Sequence, residues 1–304
     1  MQSVDDLGTS LSMRINSIRD TEQNTMARQS SPFDQFHART LLTWPLLTLL
    51  VVVLATVYLI RVTGADDQIG NILGVMEFEA ICAVWGLYQC RRYHINLQRL
   101  FGPSPNDPRI WGYVLLAVPL VVLSGGTVWL RVWLRHLLLS RSGPSSLAAW
   151  MVHRPQFGST INVSAVASLI QGLTLVPIVE EFVFRGLLLH RWARKWGMTR
   201  GLLLSSFAFS LMHKDLLGTF VFGLVMALLY VRTQSLVVPI VCHALDVGLV
   251  FVSQTVPGMG AVNWNLSLCF PVALLVLLLF SYSHWPKSNS FLPYFSARQQ
   301  TKDS

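Results

Sequence analysis

Three short stretches of an otherwise apolar sequence hold side chains that can move protons. Val179-Glu180-Glu181-Phe182-Val183-Phe184-Arg185-Gly186 carries two adjacent carboxylates and an arginine, and Phe209-Ser210-Leu211-Met212-His213 ends on a histidine. Pro239-Ile240-Val241-Cys242-His243-Ala244-Leu245-Asp246 sets an acid three residues after another histidine. A charge at mid-bilayer costs at least ~2.5 kcal/mol, so each of these groups needs a partner, a wet cavity or a function. Glu181 and Arg185 stand one helical turn apart and can pair on one face. Glu180 is turned about 100° away and is free to point elsewhere. Neutralising Arg185 would need only one of the two acids. The plainer alternatives are an ordinary helix-end residue for His213 and polar glue between helices for His243 and Asp246. A glutamate and two histidines converging in a desolvated cavity supply a general base and electrophilic donors, which is what peptide hydrolysis needs.

The elements that must position these groups follow from composition. The chain has 304 residues, 52% hydrophobic and 12% charged, with a mean hydropathy of +0.49. Soluble domains carry about twice this charge. Disordered, collagen-like and disulfide-scaffold classes are excluded, and Cys82, Cys90, Cys242 and Cys269 read as small buried hydrophobes without metal-ligand spacing. Apolar blocks at 41–60, 72–90, 111–130, 163–189, 202–212, 216–230, 236–252 and 266–282 predict an all-α, polytopic membrane helix bundle of about eight transmembrane helices. The third block continues toward Leu137 with Arg131 and Arg135 four apart, an amphipathic extension at the interface. The expected divisions are a flexible polar tail (1–40), N-terminal transmembrane helices (41–160), a catalytic transmembrane core (161–285) and a C-terminal tail (286–304). The net charge of +8 comes from basic residues that punctuate the apolar blocks, a membrane pattern and not a nucleic-acid surface.

Sixteen Lys and Arg fall in the two tails and the loops at 91–110, 191–200 and Arg232, against six at Arg61, Arg131, Arg135, Arg141, Arg154 and Lys214. The positive-inside rule then places both termini in the cytoplasm, in a cell (inner) membrane. Along helices rising ~1.5 Å per residue, Glu180, His213 and His243 can meet in one cavity in the inner half of the bilayer.

With these residues in hand, the chain resembles the CPBP family, the CAAX prenyl endopeptidase and bacteriocin-processing group. The resemblance runs over roughly 163–255 and rests on Glu180-Glu181 with Arg185, on Phe209 with His213, and on His243. The third motif departs at Val247, where the family has Asn or Asp, while Asp246 supplies an acid one residue early. The resemblance implies an intramembrane endopeptidase in which Glu180 polarises a water, His213 orients it, and His243 stabilises the oxyanion. Glu181 and Arg185 would hold the helix, and Asp246 would support His243. No cofactor is implied. The partners are the lipid bilayer and a membrane-associated peptide or protein, with no nucleic acid. Two other readings use the same residues: zinc ligation by the Glu and His side chains, without any His-Glu-x-x-His motif, and a proton-coupled transporter or scaffold with Glu77, Glu79, Glu180 and Glu181 as relay groups.

Overall fold

The computed structural model describes residues 31–64, 67–139, 163–213, 215–255, 266–286 and 292–295. Every regular element among them is helical. A short helix α1 (Pro32–Gln35) opens on a reciprocal cap, in which the Ser31 hydroxyl accepts from the Phe33 N–H and the Asp34 carboxylate accepts from the Ser31 N–H at 2.9 Å. It leads into α2 (Arg39–Thr63), which stops at Gly64 with φ 66°, and α3 (Asp67–Arg92). Two side-chain-capped turns follow, α4 (Leu97–Phe101) after Asn96 and α5 (Pro108–Trp111) after Asp107. A 3-10 turn (Gly112–Leu116) then joins α6 (Ala117–Leu139).

The apolar block expected at 163–189 is not one uniform helix. It comprises α7 (Val163–Leu173), a break at Thr174 (φ −121°, ψ −77°), α8 (Leu175–Glu181) and a π-helical stretch (Phe182–Leu188) that runs into α9 (Leu189–Trp196). Pro177 fits where it stands because N–H groups in a first turn have no helical acceptor. After Gly197 come α10 (Met198–Leu211), α11 (Leu216–Thr233), α12 (Val237–Thr255) and α13 (Leu266–Ser283).

Among the described residues four helical stretches are long and apolar enough to cross a membrane: Ile72–Arg92, Pro108–Thr127, Val163–Trp196 and Leu216–Thr233. Leu50–Thr63, Val237–Ser253 and Cys269–Ser283 are shorter apolar helices. The chain is therefore a helical membrane bundle, and eight crossings is a proposal that counts these shorter helices and α10 as well.

The core lies where α3 and α8 to α12 meet, around Leu187, Leu188, Leu202, Phe209, Met226 and Tyr230. Large apolar side chains stay exposed along α2 and α13, for example Val51, Leu54, Leu275 and Leu278. In a bilayer these are lipid-facing surface on helices, whose backbone groups pair within the segment apart from the donor missing at Pro271. Two glycines set how closely α9, α10 and α11 approach one another. A Cβ at Gly201 would stand 2.6 Å from the Ala193 N, between α9 and α10, and one at Gly223 would stand 3.1 Å from the Ser206 Cα, between α10 and α11.

Both expected tails are partly packed. Phe33 and Phe36 are fully buried, because α1 lies on α9: Arg191 donates to the carbonyls of Phe33 (2.7 Å) and Asp34 (2.9 Å), and Arg194 pairs with Asp34 at 2.9 Å. Burial opposes ionisation of Asp34, but the Arg194 hydrogen bond, the Ser31 N–H and the charges of Arg194 and Arg191 hold its carboxyl below the usual range. From the other end of the chain, Tyr294 and Phe295 close over the same place. Phe33 stacks on His190 with centroids 4.9 Å apart and meets Tyr294 edge-on at 5.1 Å. Residues 1–30 and 140–162 and Lys214 lie outside the described residues, as do the side chains of Arg131 and Arg135; the α6 backbone continues helical to Leu139.

Candidate active site

Glu180 and Glu181 occupy the last turn of α8, directly before the π-helical stretch. That stretch widens the ladder by one residue, so that the Leu189 N–H reaches back to the Phe184 carbonyl. Such widenings cluster at functional sites because they re-aim side chains and free carbonyls. Here the Arg185 carbonyl is taken by the Nδ1 of His190, 3.2 Å away and fully buried.

Glu181 and Arg185 form the ion pair expected from their spacing, with Nη1 3.0 Å from Oε1 and both side chains at 0% exposure. The guanidinium also donates to the Gly223 carbonyl at 3.1 Å and lies over the Phe209 ring at 4.5 Å. The close approach at Gly223 is what brings that carbonyl within reach. Three helices contribute partners to this buried ion pair, while the Glu181 Oε2 and the Arg185 Nε are buried without a hydrogen-bond partner among the described residues. Phe209, one turn before His213, thus serves as a floor for the arginine; it also stacks with Phe222 and meets Phe184 edge-on.

Glu180 turns away from Arg185. Its two oxygens face the two histidines: Oε1 lies 3.9 Å from the Nε2 of His213, and Oε2 lies 3.7 Å from the Nε2 of His243. Each ring is fixed from its other nitrogen. His213 has Nδ1 3.0 Å from the Phe209 carbonyl, an acceptor only, so Nδ1 carries a proton there. His243 has Nδ1 3.0 Å from the Glu181 Oε1, the same oxygen that holds Arg185. Glu180 and His243 are buried, while His213 is about a third exposed at its side chain. The turn carrying His213 is anchored by Asp215, which caps α11 and accepts from the Thr127 hydroxyl of α6.

The structure thus brings Glu180, Glu181, Arg185, Phe209, His213 and His243 together. Asp246 stands apart, making no hydrogen bond with His243. Its Oδ1 is buried without a partner among the described residues. The ring of His243 is drawn toward α8, and Glu181 takes the supporting position expected of Asp246. At the next position, the Val247 side chain fills the space left by Gly172 of α7, where a Cβ would come within 2.9 Å of Cγ1. That position of α12 is used for helix packing. Among the described residues no cluster of three His, Cys, Asp or Glu side chains has a geometry that could hold a metal ion.

Residues 162–247, from the residue before α7 into α12, match the family model described as type II CAAX prenyl endopeptidase Rce1-like. The matched stretch contains every residue of the cluster. No curated protein and no solved structure matches the chain. The stretch that carries the cluster, under a third of the chain, is thus similar to a CAAX-type endopeptidase domain and lies within a helical membrane bundle.

Proposed function

We propose, from the premise of an Rce1-like endopeptidase domain at 162–247, that the chain hydrolyses a peptide bond of a membrane-associated protein or peptide with Glu180 as general base. The observation carrying this reading is the position of Glu180 between two histidine Nε2 atoms at 3.9 and 3.7 Å while Glu181 is committed to Arg185 and His243. Those separations exceed a direct hydrogen bond and suit one water shared by the three groups. Glu180 takes a proton from that water as its oxygen bonds to the carbonyl carbon. His213 orients the water. His243, held by Glu181 so that Nε2 faces the reacting carbon, donates from its protonated ring to the oxyanion. When the intermediate collapses the C–N bond breaks, and Glu180 returns its proton to the departing nitrogen, so no proton is gained or lost at the enzyme over the cycle. The basic residues at 191–200, which the sequence suggested as a loop, are helical on either side of Gly197, at the end of α9 and the start of α10. Under the positive-inside rule they support a position of this chemistry near the cytoplasmic face of a cell membrane.

Glu180→Gln keeps the shape of the side chain and removes its proton affinity. Assayed with the purified protein in lipid bilayers on prenylated and unprenylated peptides, this variant is expected to lose ~10² to 10⁴ in rate, the usual contribution of a general base. Full activity in Glu180→Gln, or activity abolished by a chelator and restored by zinc, would reject the reading.

A further inference from the structure

A third histidine is bonded to the π-helical stretch and takes no part in the proton transfers above. His190, in the first turn of α9, is 0% exposed. Its Nδ1 lies 3.2 Å from the Arg185 carbonyl, which can only accept, and its Nε2 accepts from the Tyr294 N–H at 3.4 Å. A ring that donates at one nitrogen and accepts at the other is neutral, here with its proton on Nδ1. Phe33 stacks on this ring, and Tyr230 meets it with centroids 5.7 Å apart. These neighbours are tied down in turn. The Tyr230 hydroxyl donates to the Leu100 carbonyl at 2.6 Å, the Tyr294 hydroxyl accepts from the Asn96 N–H at 3.2 Å, and Arg191 holds the Phe33 carbonyl. His190 is thus a fixed donor, unable to turn without disturbing α1, α11 and the segment at 292–295.

The carbonyl it holds is one that the widened ladder leaves over. In an α-helix the Leu189 N–H would bond to Arg185, four residues back. Here that N–H goes to Phe184, and the His190 ring supplies the donor that Arg185 has lost. A buried carbonyl needs such a partner. Without the ring, the Leu189 N–H is the replacement an α-helix would use, and recovering it closes the stretch toward α geometry. That closure turns Arg185 about the helix axis, because the two ladders differ by one residue in each hydrogen-bonded ring. The effect reaches the site through two bonds: the Arg185 guanidinium holds the Glu181 Oε1, and the same oxygen holds the Nδ1 of His243, each at 3.0 Å.

We propose that His190 is a positioning residue for the hydrolysis: by taking the Arg185 carbonyl it keeps the π-helical stretch wide, and so keeps Arg185, Glu181 and the His243 ring in register with Glu180. The kinetic consequence rests on Glu180 being the base of a peptidase; the register itself does not. The segments from both ends of the chain that enclose His190 act on the site through this one ring.

The test uses the full chain in lipid bilayers with His190→Asn, His190→Gln and His190→Leu, reading the nitrogen-15 resonances of the histidine rings alongside peptide hydrolysis. Asn places an amide nitrogen where Nδ1 stood and can still donate to Arg185. Gln reaches the place of Nε2 and can still accept from Tyr294. Leu does neither. In the wild type, the resonances that vanish in His190→Asn are expected to show a proton on Nδ1 and none on Nε2. For a displacement of about 1 Å at the site, His190→Leu and His190→Gln are expected to lose ~10- to 100-fold in kcat with KM within about twofold. His190→Asn is expected to recover most of that loss. The His243 Nδ1 resonance is expected to move in Leu and Gln and to stay in Asn. Should His190→Leu fail to fold, Asn against Gln carries the comparison. A wild-type His190 with its proton on Nε2 overturns the proposal, as does rescue by Gln in place of Asn, or a His243 resonance that no variant moves. Folded Leu and Gln proteins with wild-type kcat overturn it equally. Wild-type protein that hydrolyses nothing would instead reject the peptidase reading, and the His243 resonance across the variants would still decide whether His190 sets the register.

Discussion

Glu181 does two jobs through one oxygen: Oε1 holds the Arg185 guanidinium and the Nδ1 of His243, each at 3.0 Å. A change at either partner is therefore felt at the other. Arg185→Met leaves a carboxylate buried at 0% exposure without its cation, a situation that costs ~3–5 kcal/mol. The expected outcome is a lower thermal midpoint, with the double variant Arg185→Met/Glu181→Met less destabilised than Arg185→Met alone; additive losses on thermal melts would contradict the pairing. This pair was legible from the sequence because a spacing of four residues places two side chains on one face of any helix. So was the outward turn of Glu180, set by adjacency. The partner of His243 was not legible, since nearness along one helix favoured Asp246 while the ring turned to a residue 62 positions away. Spacing reports which residues share a helix face, and tertiary packing decides which of them meet across helices.

At the scale of elements, the helices that carry the candidate site are held at separations set by glycine. Gly201 of α10 sits so close to α9 that a methyl group would stand 2.6 Å from backbone, where nothing flexible can yield. Gly201→Ala is expected to destabilise by ~1–3 kcal/mol through this overpacking. Gly112→Ala, with open space at its Cβ, is expected to leave the melting temperature in place. A Gly201→Ala protein as stable as wild type would show that α9 and α10 can part without penalty. The start of α10 was readable within a few residues from its apolar block, whereas α9 occupies a stretch expected as a basic loop. The break at Thr174 and the π-helical stretch were not, because a window of Val, Leu, Ile and Phe has the same composition in α and π geometry. Only the surroundings, here His190 capturing the Arg185 carbonyl, distinguish the two.

For the molecule as a whole, the basic asymmetry of sixteen against six predicts both chain termini on one face. In a variant lacking Cys82, Cys90, Cys242 and Cys269, single cysteines at Ser10 and Ser288 should both resist an impermeant thiol reagent in intact cells and react after lysis. Labelling of either from outside would sink this topology. Composition revealed the membrane class at once. It concealed the packing of Phe33, Phe36 and Tyr294, which lie in stretches too short and too polar to announce a core. Their arrangement bears on how the protein is made. The contacts gathered at the end of the catalytic helix join residues far apart in the chain: Arg191 to Asp34 across 157 positions, Tyr294 to His190 across 104, and Asn96 to Tyr294 across 198. Loops of that length close late in folding. A nascent chain whose synthesis has stopped short of residue 292 already contains Glu180, His213 and His243, yet His190 stands without its last cover. Such ribosome-tethered chains are expected to be catalytically silent, and turnover by a chain arrested before Leu292 would contradict that order.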